Sequence, residues 1–262
     1  MTAPGVVAVR YATRAASKST FFLRYDSYGE PDAPQRLDYY FWVVGEGPDA
    51  LVLDCGFDPE VGVRRGRTCL CPPREALARL GVDAAAVSRL LVTHFHYDHV
   101  GNLDAFPNAE LLVPERELRF WTGPLAGRAQ FAQVVEPAEI GRIAEAHRQG
   151  RARTMGARTA VAPGITAVDV GGHSPGQQIL LVESAGGLVI LASDAVHLYE
   201  ELERDRPFEI VADLAEMYRA YDLIRDLCRR PGAVMVPGHD PEVMDRFPRL
   251  DGPAGEVAVR IA

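Results

Sequence analysis

The segment His94-Phe95-His96-Tyr97-Asp98-His99 sets three imidazoles and one carboxylate within six positions. It directly follows Arg89-Leu90-Leu91-Val92, a short apolar run that reads as a buried strand reaching its C-terminal edge. In extended chain, alternation by two sends His94 and His96 the same way. Asp98 and His99 follow where the chain turns into a helix, and they point at a neighbouring spot. Imidazole nitrogen and carboxylate oxygen are the ligands that a borderline ion such as zinc prefers. At this spacing the four groups suit two ions side by side. A run of surface polar residues is the plainer alternative, but three of the chain's seven histidines fall here, too dense for chance.

Three more strand ends carry similar groups. Residues 159–170 read as two short strands around Pro163-Gly164, leading into Gly171-Gly172-His173-Ser174-Pro175-Gly176. Its glycines permit positive φ and close approach, with the histidine at the tip of the turn. Residues 179–183 and 188–192 pair as a hairpin across Gly186-Gly187 and deliver Ser193-Asp194. Residues 233–236 form a strand that runs into Pro237-Gly238-His239-Asp240. Before it, residues 213–229 form the clearest helix, with Leu214, Met217, Tyr218, Tyr221, Ile224 and Cys228 on one face. Asp213 with Glu216 makes a capping box, and Pro231-Gly232 stops the helix.

The N-terminal part reads as strands at 6–11, 21–25, 39–45 and 50–56, with a hairpin loop at 45–49. Between them lies a polar, proline-rich loop at 26–34 that carries Tyr28. Asp54, at the end of the fourth strand, either orients a metal-bound histidine or caps a turn. Helices are predicted at 73–80, at 100–106 and over most of 115–150. His147 falls in a solvated last turn and is left out of the site.

Five histidines and two aspartates therefore gather at strand ends, where layered α/β proteins build their sites. The count suits two ions: His94, His96 and His173 for one, Asp98, His99 and His239 for the other, and Asp194 bridging both. The ordered motifs His-x-His-x-Asp-His, Gly-His-Ser-Pro-Gly, Ser-Asp-Ala and Pro-Gly-His-Asp resemble the metallo-β-lactamase superfamily. Within it, the chain resembles the N-acyl homoserine lactonase family, most firmly from Asp54 onward. The resemblance implies one domain over 1–262 with an α/β fold, an αββα sandwich of two mixed sheets flanked by helices. It implies two divalent ions, zinc first, with iron, cobalt or manganese as alternatives. The chemistry expected is attack on a lactone carbonyl by a hydroxide that bridges the two ions.

One position departs from the family pattern. Three residues after the bridging aspartate the family has a tyrosine that contacts the substrate carbonyl oxygen; here His197 stands in its place. An imidazole can still donate a hydrogen bond or a proton, so His197 is assigned to catalysis and substrate contact. Asp98 is expected to carry a proton to the departing alkoxide. Tyr28 and Tyr97, with Tyr39 and Trp42, are candidates for the substrate wall.

A net charge of −8 speaks against a nucleic-acid partner. Cys55, Cys69, Cys71 and Cys228 lack disulfide or zinc-ribbon spacing. No segment has the length and apolarity of a signal or membrane span. The expectation is a cytoplasmic enzyme acting on a small lactone or ester, with no membrane partner, and a homodimer as related lactonases often are. The same seven ligands serve a glyoxalase-II-like thioesterase, the alternative reading, although 241–262 lacks the basic substrate region usual there. Asp194 argues against a true β-lactamase. Nuclease relatives need added domains and basic surface, a persulfide dioxygenase needs only one iron, and a non-catalytic binding module would have lost ligands.

Overall fold

A computed structural model describes residues 4–46 and 50–262, so most of the loop expected at 45–49 lies outside the described residues. Two mixed sheets form the centre. The first contains β1 (Val6–Ser17), β2 (Pro34–Val44), β3 (Leu51–Leu53), β4 (Thr68–Cys69), β5 (Arg89–Leu91), β6 (Glu110–Pro114), β7 (Ala152–Met155) and β13 (Ala258–Arg260). Its order is β13-β1-β2-β3-β5-β6-β7, with β4 paired to β1. The second contains β8 (Arg158–Ala162), β9 (Ile165–Asp169), β10 (Gln178–Ser184), β11 (Gly187–Ser193) and β12 (Val234–Pro237), in the order β12-β11-β10-β9-β8.

Side-chain alternation builds the layers. Along β2, Tyr40, Trp42 and Val44 point between the sheets, where they meet Leu180, Val182 and Leu191. Tyr39, Phe41 and Val43 point the other way, into a layer shared with the helices Pro73–Arg79 and Pro137–Arg148. The strands β3, β5 and β6 are parallel, short and almost wholly apolar, as strands covered on both faces must be. On the far side, Met217, Tyr221 and Ile224 of the helix Leu214–Cys228 cover Ile179, Leu181 and Ile190. Helix, sheet, sheet and helix make the αββα sandwich that the motifs implied. Among the described residues, no helix is long and apolar enough to cross a membrane.

Some expectations fail in detail. Residues 21–25 are not a strand: a helical turn Lys18–Phe21 gives way to a 3-10 turn Tyr25–Tyr28, with Arg24 in left-handed backbone at φ 51°. Phe21 and Phe22 are consecutive yet both buried in one cluster with Tyr25, Leu198 and Phe208. An extended chain would have sent them to opposite faces. The helix expected at 100–106 begins earlier, at Tyr97–Val100, with a separate 3-10 turn Leu103–Ala105. The capping box at 213–216 is half made. Asp213 accepts from the Glu216 N–H at 2.8 Å, but the Glu216 carboxylate bonds Arg116.

Gly101 ends the short helix that carries Asp98 and His99. A Cβ there would lie 2.6 Å from the Asp58 nitrogen and 2.7 Å from the Phe57 Cα, both backbone atoms. Gly101→Ala is expected to lower the unfolding free energy by about 1–3 kcal/mol, the usual cost of overpacking. The check is a urea unfolding curve whose midpoint falls while its slope stays constant.

Candidate metal centre

All seven expected donor residues are buried and converge on one edge of the sandwich. Donor atoms of His94, His96 and His173 lie within 4.8 Å of one another, as do those of Asp98, His99 and His239, and of His94, His99 and Asp194. Asp194 sits among them: its oxygens lie 3.3 Å from His99 Nε2, 3.4 Å from His173 Nε2 and 3.2 Å from His239 Nε2.

Groups behind the rings fix their orientation. His99 Nδ1 meets the Asp54 carboxylate at 2.8 Å, His173 Nδ1 the Ile210 carbonyl at 2.9 Å, and His239 Nδ1 the Asp38 carbonyl at 2.9 Å. His94 Nδ1 is 3.1 Å from Thr93 Oγ1. Each contact turns Nε2 of that ring inward. Of the two roles open to Asp54, it therefore fills the orienting one. Nε2 of His94 and of His99 is buried with no hydrogen-bond partner, as is Nε2 of His197. Buried polar nitrogens without a partner are costly unless something else binds them. Imidazole and carboxylate donors in this number fit a pair of divalent ions.

The electrostatics divide the cluster. Burial, with the neighbouring imidazoles, holds His94, His96 and His173 below the ordinary range, His96 at about 3. These three are neutral, the form that binds metal. Burial would lower His99 too, but Asp194, Asp54 and Asp98 outweigh it and raise its pKa. Burial opposes the charge on Asp194, yet His239, His99 and His197 hold its pKa well down.

His197 is also buried and faces the same cavity, of about 50 Å³. Its ring stacks on Phe208 at a centroid distance of 3.6 Å, with 9° between the planes. Nε2 is 3.2 Å from Asp194 and Nδ1 is 3.2 Å from Glu201, neither aligned as a hydrogen bond. Burial pulls His197 down, but Glu201 and Asp194 carry it up to about 9. It could also join His173 and Asp194 as a third donor.

Residues 36–239 match the family described as the metallo-beta-lactamase superfamily. The chain belongs to that superfamily. Among curated relatives, the N-acyl homoserine lactonase AttM of Azorhizobium caulinodans is 29% identical over 177 residues, covering 66% of this chain and 65% of that one. The N-acyl homoserine lactonase AiiA of Bacillus thuringiensis subsp. kurstaki is 26% identical over 168 residues, 63% of this chain and 61% of its own. The chain thus spans just under two-thirds of the length of these relatives. A solved N-acyl homoserine lactone hydrolase, with N-hexanoyl-L-homoserine bound at its metal centre, superposes with a TM-score of 0.76 at 18% identity, covering 95% and 98% of the two chains. The dizinc quorum-quenching lactonase AidC superposes at 0.71 with 15% identity, covering 92% and 89%. At such identities the superpositions speak for the fold.

On this superfamily scaffold, Tyr97 and Tyr39 line the cavity with the donors. Tyr28 does not: it packs against Tyr25 and carries the Arg206 guanidinium on its ring, 4.6 Å from the centroid. Trp42 is fully buried between the sheets, because β2 turns every second side chain inward.

Two buried carboxylates escaped the sequence reading. Glu117 accepts hydrogen bonds from Phe95 N, Gly176 N, Ser174 Oγ and Trp121 Nε1, so it pins the loops carrying His94, His96 and His173 to one another. Burial still raises its pKa above the ordinary range. Glu201 accepts from His197 N and Leu198 N, and from the Tyr221 hydroxyl. Both lie on helices, among ordinary surface-type sequence. Only the run of helix starts near motif histidines could have pointed to them.

Glu117→Gln puts an amide N–H₂ where donors already point. Unfolding free energy is expected to fall by about 1.5–3 kcal/mol and zinc affinity about 10–100-fold. Urea unfolding and zinc competition against a chromophoric chelator read the two effects. Unchanged zinc affinity would mean that Glu117 does not position the ligands.

Proposed function

We propose that this chain is a metal-dependent hydrolase that opens a lactone ring, acting as one domain over 1–262. The observation that carries the reading is the cluster itself: seven donors, four of the five imidazoles among them held from behind, and an eighth polar group, His197, held over them without an aligned partner. The names of the AttM and AiiA relatives support the lactone as substrate. The dizinc description of AidC, together with the histidine-rich donor set, supports zinc as the metal. His94, His96 and His173 would hold one ion and Asp98, His99 and His239 the other, with Asp194 shared. Bound there, two divalent ions supply Lewis-acid polarisation of a carbonyl and a water acidified toward neutrality.

The chain's own residues do the rest. His197, fixed by the Phe208 stack and the Glu201 carboxylate, offers an imidazole N–H to the carbonyl oxygen as negative charge develops there. Asp98, its backbone oxygen bonded by the Tyr11 hydroxyl at 2.9 Å, presents its carboxylate to the cavity and can pass a proton to the alkoxide that leaves. Tyr39 and Tyr97 hold the ring of the substrate and exclude water. In this reading Tyr28 takes no part, and Glu201 is a positioning residue.

The test is hydrolysis by pH-stat on zinc-loaded protein, with lactones, an aryl ester, a thioester and a β-lactam offered in parallel. Lactone opening is expected, with Asp194→Asn abolishing it. His197→Phe is expected to lower kcat by about 10²–10³, the loss seen when one oxyanion donor is removed, with a much smaller change in KM. Turnover confined to the thioester would replace the lactonase reading by the thioesterase one.

A further inference from the structure

Two arginines share the cavity with the donor cluster: Arg14 and Arg67. Their closeness is imposed by the sheet. In the antiparallel pair of β1 and β4, Ala12 faces Cys69 and Thr13 faces Thr68, and Arg14 and Arg67 are the residues that follow and precede this short pairing. Like charges held this close repel. Among the described residues, neither guanidinium has a carboxylate within 4.0 Å, whereas nearby Arg65 is paired with Glu136 at 2.8 Å. Arg67 donates through Nε to the Tyr97 hydroxyl at 2.9 Å and through a terminal nitrogen to the Arg65 carbonyl. Arg14 rests on the Phe21 ring, 5.1 Å from its centroid. Burial and Arg67 both press Arg14 below its ordinary pKa.

Burial works against the charge on Arg67, but Tyr39, Tyr97 and Asp98 raise its pKa above the ordinary range; even so, two guanidiniums with no carboxylate in contact, in a chain of net charge −8, are the reverse of what packing alone would select. Guanidinium forks match the two oxygens of a carboxylate. We propose that Arg14 and Arg67 bind an anionic group of the substrate, and that the preferred lactone bears a carboxylate.

The inference rests on the lactonase reading for the reacting end of the substrate only. It is tested on zinc-loaded protein with γ-butyrolactone-γ-carboxylate and the matching neutral γ-carboxamide, and with Arg14→Gln and Arg67→Gln. The carboxylate is expected to exceed the amide at least 10-fold in kcat/KM. That ratio should shrink as salt rises and fall toward one in either variant. A second arm measures binding of glutarate and of its monoamide by calorimetry. Each offers one carboxylate to the donor cluster, so the tighter binding expected for glutarate reports the second carboxylate on the arginines. It should vanish in the Arg14→Gln variant, whose folding is confirmed by thermal melting. Equal turnover of the two lactones with equal binding of glutarate and monoamide overturns the anion site while leaving the lactonase intact. Preferred glutarate binding, lost in the variant, with no lactone opened, supports the anion site and overturns the lactonase.

Discussion

The Asp54 carboxylate is the contact on which the centre depends. It is fully buried, and it receives hydrogen bonds from Thr93 N, Thr93 Oγ1 and His99 Nδ1, each at 2.8 Å. A buried carboxylate is tolerated only when its lone pairs are filled in this way. To reach them, Asp54 adopts left-handed backbone at φ 62°, a conformation costly for any residue but glycine. Ser193 pays the same cost at φ 46°, and its hydroxyl lies 2.9 Å from Thr93 Oγ1. One network therefore joins the end of β3, the turn after β5 and the end of β11, which belong to two different sheets. Strain at the strand ends is held by these bonds, and in return Asp194 and His99 face one another.

Glu117 and Glu201 repeat the device at a distance. Each is buried on a helix and accepts from at least two groups of a loop that carries site residues, at least one of them a backbone N–H. Loops are the least rigid part of a sandwich, and a metal site tolerates errors of only a fraction of an ångström. Helix-borne carboxylates that grip loop amides turn floppy segments into parts of the scaffold. Gly172 belongs to the same logic: at φ 86°, with a Cβ there only 2.5 Å from the Met217 Cα, it lets the His173 turn lie directly on the helix Leu214–Cys228.

The motifs were legible because ligand residues come in dense, ordered sets at the ends of apolar strands, and such sets have few other uses. Layering was legible through β2, β10 and β11, whose alternating or apolar runs admit few placements. What escaped was long-range and had no local signature. The strand at 21–25 was read from aromatic content, but Phe21 and Phe22 share one cluster because the chain turns between them. The strands β4, β7 and β13 have two to four residues and exist through their partners. Tyr28 looked like a wall residue from its loop alone, and the arginine it stacks on lies far away in sequence. Arg14 and Arg67 carried no signal, since nothing in either segment announces that β1 will pair with β4.

The balance of charge explains how such a centre can fold at all. Asp54, Asp98 and Asp194, with Glu201 behind them, would be intolerable together in a dry core. His99 and His197, their pKa values raised by these carboxylates, bring protons to where positive charge is needed. His94, His96 and His173 stay neutral because burial and crowding forbid more charge. The raised pKa values of His99 and His197 thus set positive charge against these carboxylates. Binding ions then exchanges charge for charge: the ligand form of His99 must give up its proton.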